Sequence, residues 1–384
     1  MRIVDVTQWH SPVSGGIRTY LNAKARWAAA SDMDHGVVVT GAHEERGWIA
    51  RSPMVTVRGR SPSRRWGYRL AIRPGAIIAA LDELAPDVVV LHDTTSFPQA
   101  VTRWASPRGV PVVIVVHSDL GVAAAGLPAP IRGPAAWGLG LVQRRGLRAP
   151  RVVLVASDES RRRIARSTRR PVLISPLGVD LEPFSSAAPD TALRDTLAAA
   201  DEAVLLYAGR LSSEKRVDLL PQAVARLDGT AVRLVVAGTG AAEGRVRRIA
   251  DRLGVRERIL FLGYVEDRER LAALMATADV FVHPSPHEPF GLAPLEALAS
   301  GCRVVAPRTG GTGETLAGRE GAHLVAPADP GALADGVRRA LTTPRPRPDL
   351  SQLGWDATFA REWDLYDRLA TGRPIVRYET GEIS

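Results

Sequence analysis

Glu288 and Glu296 are carboxylates eight residues apart, in the run His287-Glu-Pro-Phe-Gly-Leu-Ala-Pro-Leu-Glu296. The first falls in a loop just after an apolar strand pattern. The second lies about a turn inside a helix that begins near Leu292. Backbone N–H groups from Phe290 to Ala293 lack intrahelical partners at such a start, and with the helix dipole they form a ready site for phosphate. A carboxylate one turn deeper can accept two vicinal hydroxyls. The plainer reading of Glu288 is a loop acid that complements the dipole. Upstream, Tyr207-Ala-Gly209-Arg210-Leu-Ser-Ser-Glu-Lys215 reads as strand, turn and helix start. It brings Arg210 and Lys215 to a strand's carboxyl end, where a bidentate guanidinium and a compact ammonium suit a diphosphate. Solvated surface cations are the plainer alternative. Only Lys24 and Lys215 are lysines among the 50 basic residues, so each surviving lysine is a pointer.

These groups need elements to hold them. Strand-like runs occur at 36–40, 88–92, 110–117 and 152–157, after an opening Arg2-Ile-Val-Asp-Val-Thr. They recur at 204–211, 233–238, 259–263, 280–284 and 304–307, with helical stretches near 214–227, 242–253, 268–276 and 292–300. Strands alternating with helices predict parallel βαβ units. The fold expected is α/β, with two doubly wound Rossmann-like domains facing across a cleft. Two prolines and a glycine in Ser175-Pro-Leu-Gly-Val-Asp-Leu-Glu-Pro-Phe184 place the hinge. The expected organisation is an acceptor-side domain over 1–180, a nucleotide-binding domain over 181–354, and a helix and tail over 355–384 that cross back to the first domain. Open α/β sheets bind ligands beyond the carboxyl ends of their strands.

Taken together, Arg210 with Lys215, Glu288-x7-Glu296 and Gly310-Gly311 resemble the family 4 retaining glycosyltransferases of the GT-B fold. Phe261-Leu-Gly-Tyr264, Ala278-Asp-Val-Phe-Val-His-Pro-Ser285 and Ala299-Ser-Gly-Cys-Arg-Val-Val-Ala306 agree in order and spacing. So do Gly15-Gly16 after the first strand and His117 after another, and the resemblance covers nearly the whole chain. Gly313 departs from it, since proline is common there. The resemblance implies that Glu296 holds the donor ribose and that Arg210 and Lys215 neutralise the diphosphate. Glu288, with the backbone of Phe290 and Gly291, would hold hydroxyls of the transferred sugar. Gly15, Gly16, Gly209 and Leu292 complete the donor site, and Gly16 lets the loop approach the phosphate without a Cβ. His117 would sit under the sugar, with a satisfied strand-end histidine as the alternative. Asp119 is an acceptor-side candidate. The reaction implied moves a hexosyl unit with retention from a nucleoside-diphosphate sugar to a hydroxyl of a glycolipid or small molecule. No metal or other cofactor is expected. Ser14-Gly-Gly-Ile-Arg-Thr and the basic N-terminal half are most similar to actinobacterial mannosyltransferases acting on phosphatidylinositol mannosides, which makes GDP-mannose the expected donor. A UDP-sugar transferase with a soluble natural-product acceptor and a non-catalytic nucleotide-sugar-binding protein stay open.

Composition sets limits around this reading. The chain has 384 residues, 45% of them apolar, and one cysteine, Cys302, so neither an internal disulfide nor a cysteine metal cluster is available. Nothing approaches the roughly 18 apolar residues of a membrane span. Met1 to Trp9 lacks the pattern of a signal peptide, and a cytoplasmic protein is expected. Residues 1–185 hold 25 Lys+Arg against 14 Asp+Glu, and the remainder holds 25 against 27. The basic character thus belongs to the N-terminal half. Arg58 to Arg73 carries six arginines and no acid. Arg65, Arg69 and Arg73 are spaced for one helix face, and Arg64, Arg65 and Arg69 are candidates for an anionic acceptor or the inner face of the membrane. No nucleic-acid-binding module is present. Asp32-Met-Asp34 reads as a solvated turn, and Gly238-Thr-Gly240-Ala-Ala-Glu243 as a tight strand-to-helix turn, because a dinucleotide fingerprint requires glycine where Glu243 stands.

Overall fold

The computed structural model describes residues 1–10, 16–61, 69–71, 73–95, 97–117 and 129–375. The chain divides into two compact units. Among the described residues, one holds those up to Gly178 together with Trp355–Ile375, and the other holds Val179–Gly354. The crossing therefore falls two residues before the boundary expected at 180.

The first unit is built on β1 (Arg2–Thr7), β2 (Asp34–Gly41), β3 (Glu45–Ile49), β4 (Ser52–Arg58), β5 (Val88–Leu91), β6 (Val112–Val116), β7 (Val152–Val155) and β8 (Val172–Ile174). Their order is β3-β4-β2-β1-β5-β6-β7-β8, all parallel except β3, which runs antiparallel on β4. Both faces are covered, so the central strands are nearly continuous Val, Ile and Leu. Strand alternation sends Val4 and Val6 to one core. Ile3 goes to the other, which Ala28 of the Gly16–Ala30 helix and Trp363, Tyr366 and Leu369 of the Trp355–Ala370 helix complete. The latter helix buries Trp355, Phe359, Glu362, Tyr366 and Leu369 on a single stripe, which attaches the end of the chain to the first unit.

The second unit is built on β9 (Ala203–Ala208), β10 (Val232–Ala237), β11 (Ile259–Gly263), β12 (Val280–Val282), β13 (Arg303–Pro307) and β14 (Ala322–Val325). The order β11-β10-β9-β12-β13-β14 is wholly parallel and reverses between β9 and β12. At such a switch the connections leave in opposite directions, which opens a crevice at the strands' carboxyl ends.

Two expectations are corrected. The helix expected from Glu214 to Leu227 is a 3₁₀ turn, Ser213–Lys215, followed by a separate helix, Leu219–Ala225. Arg216 interrupts it with φ of 51°, in the left-handed region. The basic segment is not a helix at its described end. Arg60 and Leu70 pair as an antiparallel bridge, and the Arg69 guanidinium donates to the Gly59 carbonyl at 3.4 Å.

Candidate functional site

In the second unit the chemistry-bearing loops leave β9 and β12, on either side of the switch. The loop after β9 carries Gly209 and exposed Arg210, and the Tyr207 hydroxyl donates to the Arg210 carbonyl at 3.0 Å. The 3₁₀ turn then directs Lys215 across to β12's loop, where its ammonium is ion-paired with Glu288 Oε2. Both side chains are largely buried, at 23% and 19% exposure. Burial would raise the Glu288 carboxyl, but Lys215, His283 and Arg210 outweigh it and hold the group below the ordinary carboxylate range. His283, at the end of β12, lies 3.8 Å from the same carboxylate oxygen. Its buried ring nitrogens make no hydrogen bond among the described residues, and burial pushes its pKa down to about 4.

The helix Leu292–Ala299 starts at Gly291 with φ of 97° and no side-chain cap, so its first N–H groups are left for another acceptor. The neighbouring helix Gly310–Leu316 supports this start from behind. Gly311 N–H donates to the Glu288 carbonyl at 2.7 Å, and a Cβ on Gly311 would come 1.7 Å from the Pro289 carbonyl oxygen. Gly310-Gly311 therefore shapes the Glu288 to Gly291 loop by close backbone approach. Phe290 is buried beneath it. Glu296 is buried one turn in, and its Oε1 accepts from the Arg268 guanidinium at 2.9 Å. Arg268 also lies 3.6 Å from Asp180 and over the Phe184 ring. Burial raises the Glu296 carboxyl, and Arg268 opposes that rise.

The structure thus brings Lys215 and Glu288 into contact, sets Arg210 on the adjoining loop, and gives Glu296 a partner absent from the sequence argument. Gly15, Asp119, Arg64 and Arg65 lie outside the described residues. In the first unit, Gly16 opens its helix and half-buried His117 stands one residue beyond β6. Sequence reasoning missed what lies behind His117. His117 Nε2 is 2.7 Å from His92 Nδ1, and His92 Nε2 is 2.7 Å from Asp5 Oδ1. Asp5 also accepts from Lys24 at 3.0 Å and from His35 at 2.6 Å. Glu362 of the C-terminal helix lies 3.5 Å from Lys24 and accepts from Tyr366 at 3.0 Å. Two signals pointed here: the rarity of Lys24, and an aspartate inside the apolar run of β1.

Comparison with known proteins fits this geometry. Residues 15–179 match the glycosyl transferase 4-like domain, and residues 190–354 match glycosyl transferases group 1. A GDP-mannose-dependent alpha-(1-6)-phosphatidylinositol dimannoside mannosyltransferase of Mycobacterium tuberculosis is 32% identical over 347 residues, 90% of this chain and 88% of the relative. A D-inositol 3-phosphate glycosyltransferase of Xylanimonas cellulosilytica is 33% identical over 298 residues, 72% of this chain and 69% of the relative. In fold, sucrose-phosphate synthase of Thermosynechococcus elongatus superimposes with a TM-score of 0.78 at 20% identity, covering 97% of this chain and 99% of that one. Anabaena Alr3699/HepE in complex with UDP-glucose superimposes with a TM-score of 0.67 at 20% identity, over 97% and 95%. The chain belongs to the family 4 glycosyltransferases and has their GT-B fold. It is a nucleotide-sugar-dependent hexosyltransferase.

Proposed function

We propose that the protein transfers mannose, with retention, from GDP-mannose to a hydroxyl of a phosphoinositol-type glycolipid at an anionic membrane surface. The observation that carries the donor reading is the Lys215–Glu288 pair beside the uncapped start of the Leu292–Ala299 helix. Leaving of a nucleoside diphosphate puts negative charge on phosphate and positive charge on the sugar ring. Preorganised donors and cations placed where that charge develops are the main means of lowering the barrier. Arg210, Lys215 and the helix N–H groups take the phosphate side. Glu288, fixed by Lys215 and kept ionised, accepts from a sugar hydroxyl, and Glu296 accepts from the ribose. His117 accepts from a hydroxyl of the transferred sugar. These groups supply the charge that a divalent ion supplies elsewhere, so turnover persists in EDTA.

The mannosyl donor is supported by the 32% identical relative named for GDP-mannose. The lipid acceptor has support on the first unit as well. Among the described residues no helix is long and apolar enough to cross a membrane. The helix Ala129–Gly146 nevertheless exposes Trp137 (71%), Leu141 (43%) and Val142 (41%). Arg144 and Arg145 are exposed in its last turn, and residues 120–157 carry five arginines and no acid. An exposed tryptophan beside arginines fits an anionic bilayer, with each cation worth about 1 kcal/mol near the surface.

Thermal shift with GDP, UDP and ADP in EDTA tests the donor. GDP at about a hundred times its dissociation constant should stabilise by about 2.7 kcal/mol, with UDP and ADP well below it. A shift with UDP alone contradicts the GDP-mannose reading. Sedimentation with anionic and zwitterionic vesicles tests the acceptor surface. Binding to anionic vesicles that fades at high salt and weakens in Trp137→Ser is expected. Equal, negligible binding to both vesicle types removes the membrane.

A further inference from the structure

We infer that His92 is a positioning residue for His117: held by Asp5, it fixes the His117 tautomer so that His117 Nδ1 is left bare to accept a hydrogen bond from a hydroxyl of the transferred sugar. The functional half of this inference rests on the proposed contact between His117 and that sugar.

Asp5 is fully buried on β1 and is held ionised against its burial by Lys24, His35 and His92. A carboxylate only accepts, so the His92 nitrogen 2.7 Å from Oδ1, Nε2, carries a proton. The His35 nitrogen 2.6 Å from Oδ2 carries one likewise, and its Nδ1 then accepts from the Ser52 hydroxyl at 2.8 Å. A neutral His92 with its proton on Nε2 has a lone pair on Nδ1. That lone pair is 2.7 Å from His117 Nε2, so His117 donates there and its own proton is on Nε2. The remaining nitrogen, His117 Nδ1, has only a lone pair, and no hydrogen bond reaches it among the described residues. One further proton on the pair would convert Nδ1 from acceptor to donor. The groups around the pair are Asp5 on β1, His35 on β2, Tyr20 and Lys24 on the Gly16–Ala30 helix, and Glu362 and Tyr366 on the Trp355–Ala370 helix. Burial, with His92 and Lys24 adding to it, holds the His117 pKa well below the ordinary imidazole value, so His117 itself is neutral near pH 7. The Tyr20 ring packs edge-on against both imidazoles, at 5.3 Å and 5.7 Å between centroids, and keeps them in line.

Nitrogen-15 NMR of histidine-labelled full-length protein, with His117→Gln used for assignment, reads the tautomers directly. The wild type at pH 7.5 should show His117 protonated on Nε2. In His92→Phe, which leaves Asp5 its bonds to Lys24 and His35, His117 should become a tautomer mixture. Hydrolysis of GDP-mannose, or of whichever of UDP-glucose, UDP-N-acetylglucosamine and ADP-glucose the protein turns over, should slow about 10- to 100-fold in kcat with KM within about threefold, the scale of losing an outer partner that orients a functional histidine. His92→Asn, whose carboxamide oxygen can stand where Nδ1 stands, should restore the tautomer and part of the rate. It also serves as the tautomer test if the phenylalanine variant melts early. An Nδ1-protonated His117 in the wild type, or an unchanged tautomer in His92→Phe, overturns the inference and leaves the site reading untouched. A tautomer that responds as expected while kcat stays at the wild-type value in both His92→Phe and His117→Gln overturns the sugar contact instead.

Discussion

One ion pair joins Lys215 to Glu288, the cation we propose for a donor phosphate and the carboxylate we propose for a sugar hydroxyl. Its geometry depends on backbone contacts behind it. Gly311 approaches the Pro289 carbonyl so closely that any Cβ would displace the Glu288 to Gly291 loop. Gly311→Ala should therefore lower kcat about 100-fold, the scale of an ångström-sized misplacement of catalytic groups, while the melting curve keeps a single cooperative transition. A variant with wild-type kcat would show that the loop is not held there. At this scale the sequence was legible where a charged type is unusual for its place: Lys215 by rarity, Glu288 by the loop and helix around it. Arg268 and His283 were not legible. Arginine is abundant in this chain, and a histidine after a strand is ordinarily satisfied by its neighbours. Only the fold shows that Arg268 reaches Glu296 and that the His283 ring is buried beside Glu288 with no hydrogen bond among the described residues.

The Trp355–Ala370 helix was legible at its start, expected at 355. What it attaches to was expected only as a return to the first domain. In the structure it closes a buried charge cluster, with Glu362 at 2% exposure facing Lys24 at 0%. Removing one partner of a buried pair leaves an uncompensated charge, at a cost of about 3–5 kcal/mol. Glu362→Ala should lose that much in urea denaturation, and Glu362→Gln, which keeps hydrogen-bonding capacity, should lose less. Equal stability of the alanine variant and the wild type would mean that the helix is held by its apolar stripe alone. The central strands of both sheets were legible as short apolar runs between turn signals. The strands β3, β4, β8 and β14 were not: β3, β8 and β14 are short edge strands with few fully buried positions, and β4 carries Pro53 near its start. The helix after Lys215 was overextended because left-handed Arg216 leaves no trace in composition.

Across the whole molecule, loss of solvent around buried His35 and His283 and half-buried His117 pushes each pKa below the ordinary 6.5 and leaves each neutral near pH 7. The unfolded chain binds more protons than the folded one below that value. The contribution of each histidine is complete above pH 6.5 and declines as pH falls toward the folded values, about 4 for His283. Asp5, lowered in the fold, adds a loss below its ordinary 3.8. Urea midpoints should therefore drop between pH 7.5 and 5.5, by about 1 kcal/mol of stability per histidine, and His283→Leu should shrink the drop. Stability equal or greater at pH 5.5 would mean that these rings are already charged in the fold. We propose that a single site, at Arg210 and Lys215, takes the donor diphosphate. Its most direct measurement is release of nucleoside diphosphate from a panel of nucleotide-sugars by wild type, Arg210→Ala and Lys215→Ala. One donor should be turned over by the wild type and released about 100- to 1,000-fold more slowly by each variant, as when a single electrostatic stabiliser is removed, with melting temperatures near the wild-type value. Turnover within a few-fold of wild type in both variants would contradict the placement of the diphosphate at these two cations.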